Sequence, residues 1–176
     1  MKLKHVFLAG TFATAIFLTS CDKDDDTADV SAQDETFSVK ASQSNRAEIE
    51  LGALAVTKAT NSGVRTFAQQ MVTEHTAAQA DLVNVVNDLD TDISLSDSLD
   101  AEQVAMRTML QSLSGAAFDS AYIDGQVKSH TKTLGIFDAE VAGGQNAQVK
   151  GYAVNKRPAI AMHLNMADSL YTIVAQ

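Results

Sequence analysis

Val64-Arg65-Thr66-Phe67-Ala68-Gln69-Gln70-Met71-Val72-Thr73-Glu74-His75, continued to Leu89, is the stretch that decides the fold. Val64, Phe67, Met71, His75, Ala78, Leu82, Val85 and Leu89 recur at spacings of three and four, which is one face of an α-helix. That face is apolar except at His75. Asn61-Ser62-Gly63 ahead of it reads as a turn. Before the turn, Phe37, Ala41, Ser44, Glu48, Leu51, Ala55 and Ala59 form the matching stripe of an earlier helix, from about Ala32 to Thr60, with Glu48 its one charged member. Asn45 and Glu48 also fit a capping box that would start this helix later, but the unbroken stripe back to Phe37 favours the longer helix.

Toward the C-terminus the periodicity lapses between Asp90 and Leu99, which reads as a loop. A short helix follows, with Asp100 and Gln103 placed for a capping box and Leu99 and Val104 for a hydrophobic staple. Its expected buried face is Val104, Met109, Leu110 and Leu113, and it stops at Ser114-Gly115. A long helix from about Ala116 to Ala142 carries Phe118 or Asp119, Ile123, Gln126, His130, Phe137 and Val141 inward, and Gly143-Gly144 ends it. The last helix, about Asn146 to Val174, presents Val149, Tyr152, Ala153, Ile160, His163, Ala167 and Leu170. Pro158 removes a backbone donor there and should kink it near Ala153 to Asn155. Two helical hairpins joined by one long connection are expected to form an all-α, ferritin-like four-helix bundle, with a short extra helix in the crossover. A single proline and the absence of tryptophan agree with helices rather than a sheet.

The N-terminus reads as an address. Lys2 and Lys4 precede an apolar run from Val6 to Leu18, and Leu18-Thr19-Ser20-Cys21 closes a lipoprotein signal. The run is too short for a bilayer span, which takes about 20 residues. The expected organisation is therefore a signal peptide over 1–20, an acylated Cys21 with an acidic tether over 21–33, and the bundle over 34–176. Acyl chains on Cys21 would anchor the protein to the cell envelope of a Gram-negative bacterium, at the outer membrane on its periplasmic or surface face. Asp22-Lys23-Asp24-Asp25-Asp26 is a solvated linker, and it also resembles the short acidic signal that takes some lipoproteins to the outer surface. Removing Lys2 and Lys4 from the 13 basic residues leaves 11 against 22 acidic ones, a formal charge of −11. That charge excludes nucleic acid as a natural partner and argues against a basic lipid-docking patch. Cys21 is the only cysteine, so neither a disulfide nor thiolate chemistry is available to the bundle. No protein partner is legible.

The three remaining histidines, His75, His130 and His163, each fall on the inward stripe of a different long helix, and Glu48 holds the same kind of position on the fourth. Counted from one end of the bundle, the four depths agree to within a helical turn, so they should form one polar layer. A carboxylate and three imidazoles in a dry core are a ligand set for one divalent metal, with zinc, copper, iron and manganese all open. The residues three before His75 and His163 are Val72 and Ile160, so the Glu-x-x-His pair of a di-iron centre is missing. Tyr122 and Gln126, one to two turns before His130, are placed to fix imidazole tautomers. Glu74 reads as facing water, since helix neighbours point about 100° apart. Met71 and His75 are a weaker haem pair, without a Cys-x-x-Cys-His attachment motif. The competing reading is a layer that only satisfies itself and specifies the fold of a structural or interaction module. No complete catalytic motif is present.

Taken together, Glu48-Ile49-Glu50-Leu51-Gly52-Ala53-Leu54-Ala55, the stretch from Val64 to His75, Phe118-Asp119-Ser120-Ala121-Tyr122, Gln126-Val127-Lys128-Ser129-His130 and His163-Leu164 resemble the domain-of-unknown-function family 4142. The resemblance spans about residues 34 to 172. It implies a ferritin-like bundle in an outer-membrane protein and carries no settled activity. Arg157-Pro158 stands where such proteins usually have Leu-Pro, which bears on the local packing of the last helix.

Overall fold

The computed structural model describes residues 29–89 and 91–175, so the expected signal peptide, Cys21 and most of the tether lie outside the described residues. Five helices follow in order: α1 (Ala32–Lys58), α2 (Ser62–Asn87), α3 (Ala101–Ser112), α4 (Gly115–Gly143) and α5 (Ala147–Val174). The fold is all-α, and the described residues contain no strand. The helices α1 and α2 pair as one hairpin and α4 and α5 as the other; α1 also faces α4, and α2 faces α5. The crossover from α2 to α4 carries α3, which lies against α1 and α4.

Local chemistry sets the ends. Ser31 and Asp34 form a reciprocal capping box, so α1 begins at Ala32 and the last residues assigned to the tether are helical. Asn61 and Asn146 each accept two backbone N–H groups as N-caps of α2 and α5. Asp100 and Gln103 close their box at the start of α3. Gly115 takes φ of 60°, a left-handed conformation that lets α4 leave α3 within two residues.

Two buried aspartates clamp the hairpin turns from the opposite hairpin. Asp119 of α4 accepts from Thr60 N, Thr60 Oγ1 and Asn61 N, at 3.1, 2.5 and 2.8 Å. Asp34 of α1 does the same for Gln145 N and Asn146 N, at 3.0 and 3.2 Å. The same sequence spacing separates Asp34 from Asp119 and Asn61 from Asn146, so the two hairpins repeat one design.

The apolar core falls into two clusters. One, near the α1–α2 turn, is built on Leu51, Phe67, Met71, Leu110, Phe118 and Ile123. The other, near the α4–α5 turn, is built on Phe37, Leu82, Phe137, Val149, Tyr152 and Ile160. Two sequence expectations differ from the structure. On α3 only Leu110 is buried, while Val104 and Met109 are exposed, because one short helix laid across two others needs only a single anchor. Val141 is half-buried, and Glu140 takes the buried position instead. Arg157 pairs with Asp138 on the surface, and α5 keeps its helical assignment through Pro158. No helix among the described residues is long and apolar enough to cross a membrane.

Candidate metal centre

His75 on α2, His130 on α4 and His163 on α5 meet in the polar layer. Their ring centroids lie 5.8 Å (His75–His130), 5.5 Å (His75–His163) and 5.5 Å (His130–His163) apart. All three are buried, and each offers one ligand atom within 4.8 Å of the other two. Glu48 of α1 stands beside this group and not within it: its Oε1 is 3.8 Å from His130 Nδ1 and accepts from Ser129 Oγ at 2.8 Å.

Every histidine in the group has one ring nitrogen held by a protein acceptor. His75 Nδ1 lies 2.9 Å from Asn45 Oδ1, His130 Nδ1 is 3.0 Å from the Gln126 carbonyl, and His163 Nε2 is 2.9 Å from Glu74 Oε2. Asn45 is itself oriented, since its amide N–H groups donate to Gln79 Oε1 and Tyr152 Oη. The other nitrogens, His75 Nε2, His130 Nε2 and His163 Nδ1, are buried and have no hydrogen-bond partner. Acceptors behind the rings fix the tautomers, so that each remaining nitrogen presents a lone pair.

These findings revise the expected supporting cast. Glu74 does not simply face water: α5 passes close enough for its half-exposed carboxylate to hold His163, a contact across helices that neighbour spacing on α2 cannot reveal. Gln126 orients His130 through its main-chain carbonyl, because that carbonyl lies one turn before the ring. The Tyr122 hydroxyl makes no hydrogen bond, so it fixes no tautomer. Asn45 was read only as a possible cap; its place one residue off the apolar stripe of α1, toward the centre of the bundle, was the available clue. Met71 belongs to the apolar cluster and is fully buried in it.

The electrostatics favour the uncharged imidazole at His75 and His163. Burial pushes His75 down to about 4; the attraction of Glu48 opposes this, and repulsion from His130 and His163 adds to it. Burial likewise lowers His163, against its hydrogen bond to Glu74. Glu48 is raised by burial, but the pull of His130 and His75 together with the Ser129 and Gln126 side chains holds it below the usual carboxylate value. The layer therefore sets a buried carboxylate beside His75 and His163 held toward the neutral form, in which imidazole binds metal. A cavity of 190 Å³ lined by Asn45, Glu74, His75, Tyr152, Ile160 and His163, among others, reaches the group from the α2–α5 side. No curated protein and no solved structure matches the chain. The sequence profile of the domain of unknown function DUF4142 matches residues 19–170, and the chain belongs to that family.

Proposed function

We propose that the bundle binds one divalent transition-metal ion through His75, His130 and His163, with Glu48 as the carboxylate that balances charge beside His130. The observation that carries this reading is the set of three orphaned ring nitrogens, each on a histidine whose other nitrogen is already held. A layer that served only the fold should satisfy its own buried polar atoms, since leaving them unmade is expensive. Ligating histidines, in contrast, pair one nitrogen with a carbonyl, amide or carboxylate and leave the other for the ion. The ligand atoms lie within 4.8 Å of one another, wider than the ~3.3 Å that tetrahedral zinc–imidazole geometry implies, so binding would draw the rings inward. Three imidazoles suit zinc, copper or iron better than manganese. No carboxylate joins the group, which speaks against a di-iron centre. In this reading the protein is an envelope lipoprotein held to the membrane by acyl chains on Cys21, and it buffers or carries the metal there.

Elemental mass spectrometry of the protein purified without a histidine tag or chelator tests the proposal, with His75→Ala and His130→Ala in parallel. About one equivalent of one metal in the parent is expected, with little in either variant. A folded parent that stays empty after titration with zinc, copper, iron and manganese would sink the idea.

A further inference from the structure

A second cavity, of 320 Å³, is lined by residues of α1, α3 and α4. Its volume sits at the low end of the ~300–1,000 Å³ typical of small-molecule pockets. Leu51, Met106 and Leu110 give it an apolar side, while Tyr122, Gln126 and Ser129 give it a polar wall. Ser129 Oγ is already engaged with Glu48 Oε1. The Tyr122 hydroxyl, Gln126 Oε1 and Glu48 Oε2 have no partner, on side chains only 1%, 2% and 2% exposed.

The character of those three atoms selects the ligand. The Gln126 side chain donates toward Glu48, which leaves its carbonyl oxygen as an acceptor. The Glu48 carboxylate, held by Ser129 and Gln126, adds negative charge behind this wall, and a tyrosine hydroxyl serves either way. A head group that meets them must donate, and beside a carboxylate a cationic donor is favoured over a neutral one. The rim agrees. Lys128 is paired with Asp124 and Lys132 with Glu102, so two of the three lysines at the cavity are neutralised, while Lys40 stands at its outer edge. The net charge of −9 also draws cations toward the molecule.

We propose that this cavity is a binding site for a small aliphatic amine, its ammonium head on Gln126 Oε1 and the Tyr122 hydroxyl with the Glu48 carboxylate behind that wall, and its chain along Leu51, Met106 and Leu110. The site adjoins the metal reading through Glu48 and stands without a bound metal. The test is an NMR titration of the protein with hexylammonium chloride in the presence of a chelator, beside sodium hexanoate. Saturable shifts at Leu51, Met106 and Leu110 are expected with hexylammonium and not with hexanoate. Tyr122→Phe, which keeps the ring and removes the hydroxyl, should weaken binding about tenfold, a loss on the scale of one hydrogen bond to a charged group. Met106→Trp fills the cavity from the half-buried face of α3 and should abolish binding in a folded protein. Absence of saturable shifts in the parent, equal affinity for hexanoate, or full affinity retained in both variants would overturn the proposal.

Discussion

Acidifying the metal-free protein should remove stability through His75, by an amount the structure supplies. His75 is 5% exposed, and burial lowers it from 6.5 to about 4. A histidine buried neutral contributes stability that is fully present above its unfolded value of 6.5 and is lost as pH falls toward 4. Between pH 7.5 and 4.5 the loss amounts to about 2.5 kcal/mol, at ~1.36 kcal/mol per pH unit. His163 is shifted the same way and adds to it. One group works against them. Glu140 is buried against Asp34, and burial with that neighbour raises it from 4.5 to about 7. Its stabilising, protonated form is complete below 4.5 and is lost as pH rises through 7, so acid strengthens the bundle at this end while weakening it in the centre. The wild-type protein should therefore show little net change over the window. Glu140→Gln, which keeps a donor toward Asp34 at every pH, removes the opposing effect and should expose the full loss. The assay is urea unfolding followed by circular dichroism at both pH values, with a chelator present. If the Glu140→Gln protein is as stable at pH 4.5 as at pH 7.5, His75 and His163 are not held neutral in the core and the electrostatic account fails.

Three further outcomes follow from the geometry. Asp119→Ala strips three hydrogen bonds from the α1–α2 turn and should cost about 3 kcal/mol in urea unfolding, since each was made to a buried charged acceptor; a cost below 1 kcal/mol would contradict the clamp. Gly144→Ala places a Cβ against Glu140 Oε1 and should destabilise by about 1–3 kcal/mol, whereas the double variant with Glu140→Ala should lose less than the two singles summed. Glu74→Gln leaves a weaker acceptor behind His163 and is expected to reduce metal affinity about 10–100-fold with the fold intact, read by competition against a chromogenic chelator; unchanged affinity would remove Glu74 from the site.

Much of the layer was legible because helical periodicity turns depth into counting. His75, His130 and His163 sit on stripes whose other members are apolar, and their distance from the turns placed them at one level. What counting misses is lateral approach. Glu74 leaves the inward stripe of α2 yet meets His163, because α2 and α5 lie side by side and a long carboxylate spans the gap. Asn45 sits one position off the stripe of α1 and still reaches His75, since the centre of a four-helix bundle is wide enough to admit a second column of small polar residues. Asp34 and Glu140 each lie three residues from a stripe phenylalanine, Phe37 and Phe137, but a carboxylate at such a position is not read as core. Their pairing depends on α1 returning to the α4–α5 turn, more than a hundred residues away.

By itself, the sequence determined the helices, their caps, the two hairpins and which face of each helix turns inward. These follow from local hydrogen bonding and from burying one stripe per helix. Only the tertiary structure decided which nitrogen of each histidine is engaged and which is open, that Glu48 flanks the three imidazoles without joining them, and that α3 bridges a cavity with a polar wall. Those outcomes depend on side chains from different helices meeting within a few ångströms. The rotation of each helix about its axis, and not the spacing along it, sets such encounters.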